Sequence, residues 1–285
     1  MASVLITGTS KGIGLETALA FGRAGHKVLA TMRDPSQSPE LAETAAREKL
    51  QISVSVMDVD SDESVSTGIA AIQGNHGPID VLVNNAGVER FGSTEGVALA
   101  EVRAVMETNY FGALRCIQAV VAQMRARQSG CIINVTSIAG RLANPPLGAS
   151  CASKWALEAI TEALACEMKA FNVRVALVEP GIIDTAMARR ISVAGEESNY
   201  PHRARFSALF SASLSHPTPP STVADKILEV AESGTWKLRH PVGPDAEPLL
   251  QWRSNMSDED WIGLNASDDA TFFSRMGRDM GTPAR

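Results

Sequence analysis

Short runs of apolar and β-branched residues alternate along this chain with longer stretches in which apolar positions recur every three or four residues. The first run, Ser3-Val4-Leu5-Ile6-Thr7, breaks into a glycine-rich segment. A helical pattern through Leu15, Ala18, Leu19 and Phe21 follows, and Gly25 ends it. Residues 27–32 and 51–59 predict the next two strands, and a helix-like pattern starts at Ser61-Asp62. Residues 79–83 form a fourth strand that is apolar throughout, as expected for burial on both faces of a parallel sheet. One long helix is predicted over 100–127, with Val102, Val105, Met106, Leu114, Ile117, Val120, Val121 and Met124 as its apolar positions. Further strands are read at 131–135, 173–178 and 237–243, with helices at 150–171 and 221–233. Right-handed crossovers between such strands give an α/β fold, a doubly wound parallel sheet of about seven strands flanked by helices on both faces.

Composition narrows the class. The 285 residues, 45% of them hydrophobic, are enough for one large core. No linker divides the first 240 or so, so residues 1–243 read as one catalytic domain and 244–285 as an extension packed on it. Trp252 and Trp261 are expected to anchor that extension. Residues 186–220 mix Met187, Phe206, Leu209 and Phe210 with polar and proline-rich pieces, the composition of a substrate lid. The net charge of −6 comes without a basic run, which argues against nucleic acid as a partner. Cys116, Cys131, Cys151 and Cys166 lack paired spacing and read as buried free thiols, and no metal site is expected. Met1 leads straight into a strand and no apolar stretch approaches bilayer length, so the expectation is a cytoplasmic protein without a membrane segment.

Gly8-Thr9-Ser10-Lys11-Gly12-Ile13-Gly14 lies between a strand and a helix N-terminus. Unpaired backbone N–H groups and the positive helix end meet there, which suits a phosphate, and the context is that of a Rossmann-type dinucleotide site. An NAD-specific fold places an acid near the end of the second strand, where it would repel a 2′-phosphate. Thr31 stands there instead, with Arg33 just beyond it and Lys11 in the glycine-rich loop. Two cations without the acid favour NADP(H).

The motifs run in a fixed order: Thr7-Gly8 with Gly12 and Gly14, then Asn84-Asn85-Ala86-Gly87, Asn109, Ser137, Ser150 with Lys154, and Pro180-Gly181 with Thr185. Over residues 1 to 243 this series resembles the short-chain dehydrogenase/reductase family, in the branch of hydroxysteroid and retinol dehydrogenases. The resemblance implies cofactor contacts from Gly8, Ser10, Lys11, Gly12, Ile13, Gly14 and Arg33. It implies that Asp58 and Val59 touch the adenine, although Asp58 equally suits a cap on the following helix. Asn85, Ala86 and Gly87 would lie against the cofactor ribose. Pro180, Gly181, Ile182 and Thr185 would seat the nicotinamide carboxamide, through the Ile182 backbone and the Thr185 hydroxyl. Asn109 would kink its helix and hold a relay water, Ser137 would orient the substrate, and Lys154 would hold the nicotinamide ribose. An Asn in a helix or a Ser at a strand end has an ordinary local role just as readily.

One position departs from the family pattern. Four residues before Lys154 the family has a Tyr, so that both face one side of a helix; here Ser150 stands there. A phenol titrates near ~10 and a neighbouring ammonium lowers that, whereas an aliphatic hydroxyl is a far weaker acid. Tyr110 is expected in packing, and Tyr200 in the lid is a weak substitute; His202 and His240 read as ordinary loop and strand-end residues. The resemblance therefore implies an NADP-dependent oxidoreductase acting on a small apolar carbonyl or alcohol substrate and impaired at Ser150. The alternatives are a nucleotide-binding pseudoenzyme, or dehydration or isomerisation on the same fold. Helices 100–127 and 150–171 carry apolar residues on more than one face, which predicts a homodimer or homotetramer.

Overall fold

Alternate residues of a strand face opposite sides of a sheet, and the first strand already splits its apolar residues between two cores. Val4 and Ile6 belong to one, Leu5 to the other. In the computed structural model, which describes residues 1–193 and 199–280, this pattern extends over seven strands. They are β1 (Ser3–Thr7), β2 (Lys27–Met32), β3 (Ile52–Val56), β4 (Val81–Asn84), β5 (Gly130–Val135), β6 (Val173–Pro180) and β7 (Arg239–Val242). All pair in parallel, in the order β3-β2-β1-β4-β5-β6-β7. The helices are α1 (Gly12–Arg23), α2 (Glu40–Glu48), α3 (Asp62–His76), α4 (Leu99–Met106), α5 (Gly112–Ala126), α6 (Gly148–Lys169), α7 (Ala186–Ser192), α8 (His202–Leu214), α9 (Pro220–Glu232), α10 (Ala246–Ser254), α11 (Asp258–Ala266) and α12 (Asp269–Met280).

Helices α1 and α9 cover the face carrying Val4, Ile6, Val28 and Ala30. Helices α3, α5 and α6 cover the face carrying Leu5, Leu29, Leu82 and Ile132. This is a doubly wound Rossmann-type sheet. Its strand order reverses between β1 and β4, so the loops leaving those two strands part company and open a crevice at their carboxyl ends.

Two local expectations are corrected, and a third gains detail. The third strand was expected over 51–59, but β3 stops at Val56, because its one neighbour, β2, ends at Met32. Asp58 does not cap α3: Ser61 does, its hydroxyl accepting from the Ser64 N–H at 3.1 Å, while Asp58 accepts from the Asp60 N–H. The helix expected over 100–127 is continuous but not uniform. Between α4 and α5, Glu107–Phe111 winds as a π-helical turn, and Asn109 sits in it. An Asn whose amide reaches across to another loop, as described below, holds such a bulge open.

The predicted lid contains α7 and α8; its residues 194–198 lie outside the described residues. Ile191 and Phe206 of these helices pack on Leu147, Cys151 and Phe91. The extension forms α10 to α12 around Trp252 and Trp261, whose rings meet edge to face with centroids 5.6 Å apart. Its last five residues, 281–285, are likewise outside the described set. Several contacts fix the extension to the rest, among them the Trp261 Nε1 bond to the Ala143 carbonyl at 3.2 Å and the packing of Ala246 and Leu250 on Ile138 and Leu142. Another ties it to α8, because the buried Arg205 bonds Asp269 and the carbonyls of Asn265 and Ser267. Of the four thiols, Cys116, Cys131 and Cys151 are buried as expected, but Cys166 is exposed on α6. No helix among the described residues is long and apolar enough to cross a membrane.

Candidate active site

The crevice is built by Thr7 and Asn85, at the ends of β1 and β4. Thr7 Oγ1 accepts from the N–H groups of Asn85 and Ala86, at 3.1 and 3.0 Å. Asn85 Nδ2 donates back to the carbonyls of Thr7 and Gly8, at 3.0 and 3.1 Å. This clasp draws the two loops so close that side chains are excluded. A Cβ on Gly8, whose φ is +71°, would lie 2.7 Å from Ala86 Cα, and one on Gly14 would lie 2.3 Å from the Gly8 carbonyl oxygen. Helix α1 then starts with no side chain capping its first turn, leaving its N–H groups turned outward.

Beside it, Thr9 fixes the loop to β2 through two 3.1 Å bonds to the Thr31 carbonyl. Thr31 itself is buried, its hydroxyl donating to the Ile6 carbonyl, so it presents nothing to the rim. Beyond β2 the first exposed side chain is Arg33, and Lys11 is exposed on the neighbouring loop. Ser10, Gly12 and Ile13 complete the loop; a Cβ on Gly12 would lie 3.5 Å from the Thr185 methyl carbon, which joins the loop to the turn after β6. Asp58 and Val59 lie past β3, engaged in local structure: the Val59 carbonyl accepts from Arg115, and its side chain is packed against Gly112.

Gly87, Asn109 and Lys154 converge. A Cβ on Gly87 would lie 3.4 Å from Asn109 Oδ1 and 3.7 Å from Lys154 Nζ. The Asn109 amide is fully engaged: Oδ1 accepts from Val88 N–H at 2.8 Å, and Nδ2 donates to the Val88 carbonyl and to Ser153 Oγ, both at 2.9 Å. Its side chain is therefore a clasp on the loop after β4. Lys154 Nζ donates to the Val135 carbonyl at 2.9 Å, and burial lowers its pKa to about 8, opposed by Glu158 one turn along α6. Ser137 Oγ donates to the Pro180 carbonyl at 3.2 Å and accepts from Ala139 N–H, so it bridges the ends of β5 and β6.

Ser150 does not face this cluster with a free hydroxyl. Its Oγ accepts from Arg90 N–H at 3.1 Å and faces the Arg90 carbonyl at 3.4 Å, pinning the loop one step beyond the Asn109 clasp. Neither tyrosine replaces it. Tyr110 packs edge to face on Phe111. The Tyr200 phenol donates to Glu95, which raises its pKa and makes it a poorer acid. His202 and His240 contact the carbonyls of Asn265 and Lys237, as ordinary structural residues do.

In the turn after β6 the backbone N–H groups differ in what they already bind. Ile182 N–H is taken by Asp245 Oδ2 at 2.8 Å, and Asp184 N–H by the Thr218 carbonyl. Among the described residues the N–H of Ile183 is left without a protein partner, so Ile183 and not Ile182 is the turn's available donor. Thr185 accepts from Ala188 N–H as the cap of α7, which leaves its hydroxyl proton free to donate. Gly181 has room for nothing larger, since a Cβ there would lie 2.2 Å from Asp245 Oδ1. Asp245 is a site residue that the sequence conceals, because Gly243-Pro244-Asp245 has the composition of any turn.

Behind the site lies a buried acid pair. Glu158 accepts from Thr136 Oγ1 at 2.6 Å and from Arg239, whereas Glu179 is fully buried with no hydrogen bond, 3.5 Å from Arg141 and 3.6 Å from Arg239. Burial, reinforced by Glu158, pushes the Glu179 carboxyl up to about 7.

Residues 2–195 match the family model described as short chain dehydrogenase. The chain is 38% identical over 263 residues to bovine (Bos taurus) retinol dehydrogenase 8, covering 87% of this chain and 83% of that protein. A solved short-chain dehydrogenase from Streptomyces avermitilis superposes with a TM-score of 0.77 at 28% identity, over 93% of this chain and 98% of its own. A gluconate 5-dehydrogenase from Burkholderia cenocepacia, solved with NADP and tartrate, gives 0.74 at 25% identity, over 85% and 93%.

Glu179 generates a stability prediction. A carboxyl raised from 4.5 to about 7 keeps a proton in the folded state that the unfolded chain has released, so stability falls as pH rises through that window. The full shift corresponds to about 3 kcal/mol. Glu179→Gln, neutral at every pH, should reduce the loss of Tm between pH 5 and pH 8 by on the order of 5 °C, measured by thermal denaturation. An unchanged slope would show that the carboxyl is already ionised at pH 5.

Proposed function

The chain belongs to the short-chain dehydrogenase family, and from that membership we propose that it is an NADP(H)-dependent oxidoreductase acting on an apolar carbonyl or alcohol. The observation that carries this reading is the convergence of Gly87, Asn109 and Lys154 beside a glycine-lined crevice at the sheet's switch point. The residues suit a dinucleotide: an uncapped helix N-terminus for the pyrophosphate, loops stripped of side chains for close approach, and a free Ile183 N–H for a carboxamide. Lys11 and Arg33 support the 2′-phosphate. The bovine relative is a retinol dehydrogenase, which supports an apolar alcohol or aldehyde here.

Bound there, the dinucleotide supplies or accepts hydride at the carbonyl carbon. Lys154 would hold its ribose, with the ammonium retained below pH about 8. Ser137 would exchange its 3.2 Å bond to the Pro180 carbonyl for one to the substrate oxygen. Asn109 and Asn85 keep the loop after β4 in place. The proton donor of the family pattern is missing at Ser150, so the chain should bind cofactor normally and turn over slowly. The pseudoenzyme reading draws on one observation, that Ser150 already has a structural partner in Arg90.

Apolar side chains left exposed on α4, α6 and the turn between α4 and α5 also support a subunit interface. Leu99 and Phe111 on the α4–α5 segment and Trp155 on α6 are 61%, 43% and 49% exposed. A symmetric homodimer or homotetramer is expected, and light scattering at micromolar concentration that finds a monomer would overturn it.

For the cofactor, Arg33→Ala should weaken NADPH by on the order of 10- to 100-fold and leave NADH nearly unchanged, because one charge-assisted contact contributes ~1.5–3 kcal/mol. Fluorescence titration with both cofactors reads this directly, and equal affinities in the unaltered chain would refute the NADP(H) preference. For the chemistry, Ser150→Tyr should raise NADPH-dependent reduction of apolar aldehydes and ketones by ~10²–10⁴-fold. A variant that folds, binds NADPH and its carbonyl substrate, yet reacts no faster than the parent, would remove the missing-acid account.

A further inference from the structure

The loop that follows Gly87 is held at two successive points. Asn109 clasps both backbone groups of Val88, and Ser150 meets both backbone groups of Arg90. Glu89 is the residue between. Covalent geometry puts its Cα about 2.4 Å from Arg90 N, hence no more than about 5.5 Å from Ser150 Oγ, which accepts from that nitrogen at 3.1 Å. Its carboxyl, half-buried, makes no hydrogen bond and no ion pair within 4 Å among the described residues. Phe91, next along the loop, packs on Phe206 of α8, with the Arg203 guanidinium 5.4 Å from its ring, so this segment joins the loop after β4 to α8.

We propose that Glu89 is the acid that protonates the substrate oxygen in this chain, acting beside the position that Ser150 leaves without a phenol; this rests on the carbonyl-reductase reading above. Lys154 is assigned to the ribose and Ser137 to orienting the substrate oxygen, and neither the tyrosines nor the buried acid pair stands in for the missing phenol. Tyr200 is bonded to Glu95, Tyr110 is packed on Phe111, and Glu158 and Glu179 lie buried behind the strand ends. In the reducing direction, hydride from the reduced nicotinamide forms the new C–H bond and the carbonyl π pair moves onto oxygen. That oxygen takes the proton of the Glu89 carboxyl, whose O–H bond breaks to leave a carboxylate; water at the mouth restores the proton. The nicotinamide is oxidised and the carbonyl becomes an alcohol.

The surroundings allow Glu89 to carry a proton near neutral pH. Burial raises its carboxyl to about 7 against the opposing pull of Arg190 on α7 and Arg90 on its own loop. Arg90 is in turn partnered by Glu101 of α4 at 3.4 Å. Arg203 of α8 lies over Phe91, and Lys154 of α6 is bonded to the Val135 carbonyl.

The test is Glu89→Gln, made in the parent and in the Ser150→Tyr variant, with NADPH-dependent reduction of an aromatic aldehyde followed from pH 5.5 to 8.5. In the parent, kcat should fall as pH rises through about 7, ahead of the loss of Lys154's proton near 8. Glu89→Gln should lower the parent's kcat at pH 6 by at least about tenfold and abolish the lower inflection, with NADPH affinity by fluorescence unchanged. In the Ser150→Tyr background, where a phenol is available, the same substitution should change kcat by less than about threefold. Infrared titration of the cofactor-free protein should lose one carboxyl protonating near pH 7. Equal slowing in both backgrounds, or no effect in the parent, would overturn the assignment. A parent with no reduction above the solvent blank beside an active Ser150→Tyr variant would overturn it too, while leaving the functional reading intact. Failure of every variant to bind NADPH would instead defeat that reading, and this inference with it.

Discussion

The side-chain amide of Asn85 and the hydroxyl of Thr7 hold together the two loops between which the whole site is built. Strands β1 and β4 are neighbours in the sheet, but the chain leaves them in opposite directions, and nothing in the sheet's own hydrogen bonding keeps the departing loops together. Four short polar contacts do so, with all partners at least partly buried. Buried polar groups are costly unless paired, so this set is strongly cooperative: removing one partner strands the others. The close approach also explains the glycines, since at Gly8 and Gly14 a Cβ would strike backbone.

The same device recurs deeper in the sheet. Asn84 donates to Asn134, Asn134 to Thr161, and Thr161 to the Leu157 carbonyl of α6, a polar ladder through an otherwise apolar core. It fixes the angle at which α6 crosses β4 and β5, and so the height at which Lys154 meets Val135 and Gly87. Asn109 does the equivalent for the π-helical turn. Three asparagine side chains thus act as rigid spacers, and the positions of the reactive groups follow from them.

The extension reaches the segments that build the site. Asp245 holds the turn after β6 from behind, Ala246 and Leu250 support the loop that carries Ser137, and Arg205 joins the lid to α11 and α12.

Much of this was legible in the residues alone. Apolar periodicity gave the strands and the doubly wound sheet, because a strand buried on both faces is apolar throughout; glycine spacing gave the crevice, and the absence of a Tyr at 150 was plain from one position. The end of β3 at Val56 and the true cap of α3 were not, since each depends on a neighbour in space: where β2 stops, and which hydroxyl reaches Ser64; a kink at Asn109 was expected, but not that its amide would grasp Val88. Likewise, whether Ile182 or Ile183 offers its N–H is decided by Asp245, some sixty residues away along the chain. Glu89 shows the division best. Its type and place after Gly87 are written in the sequence, but its half-burial and the nearness of its backbone to Ser150 exist only because two clasps fold the loop against α6 and α8 packs on Phe91. Local pattern is set by short-range sterics and solvation, whereas the environment of a titratable group is set by whatever the whole fold brings around it.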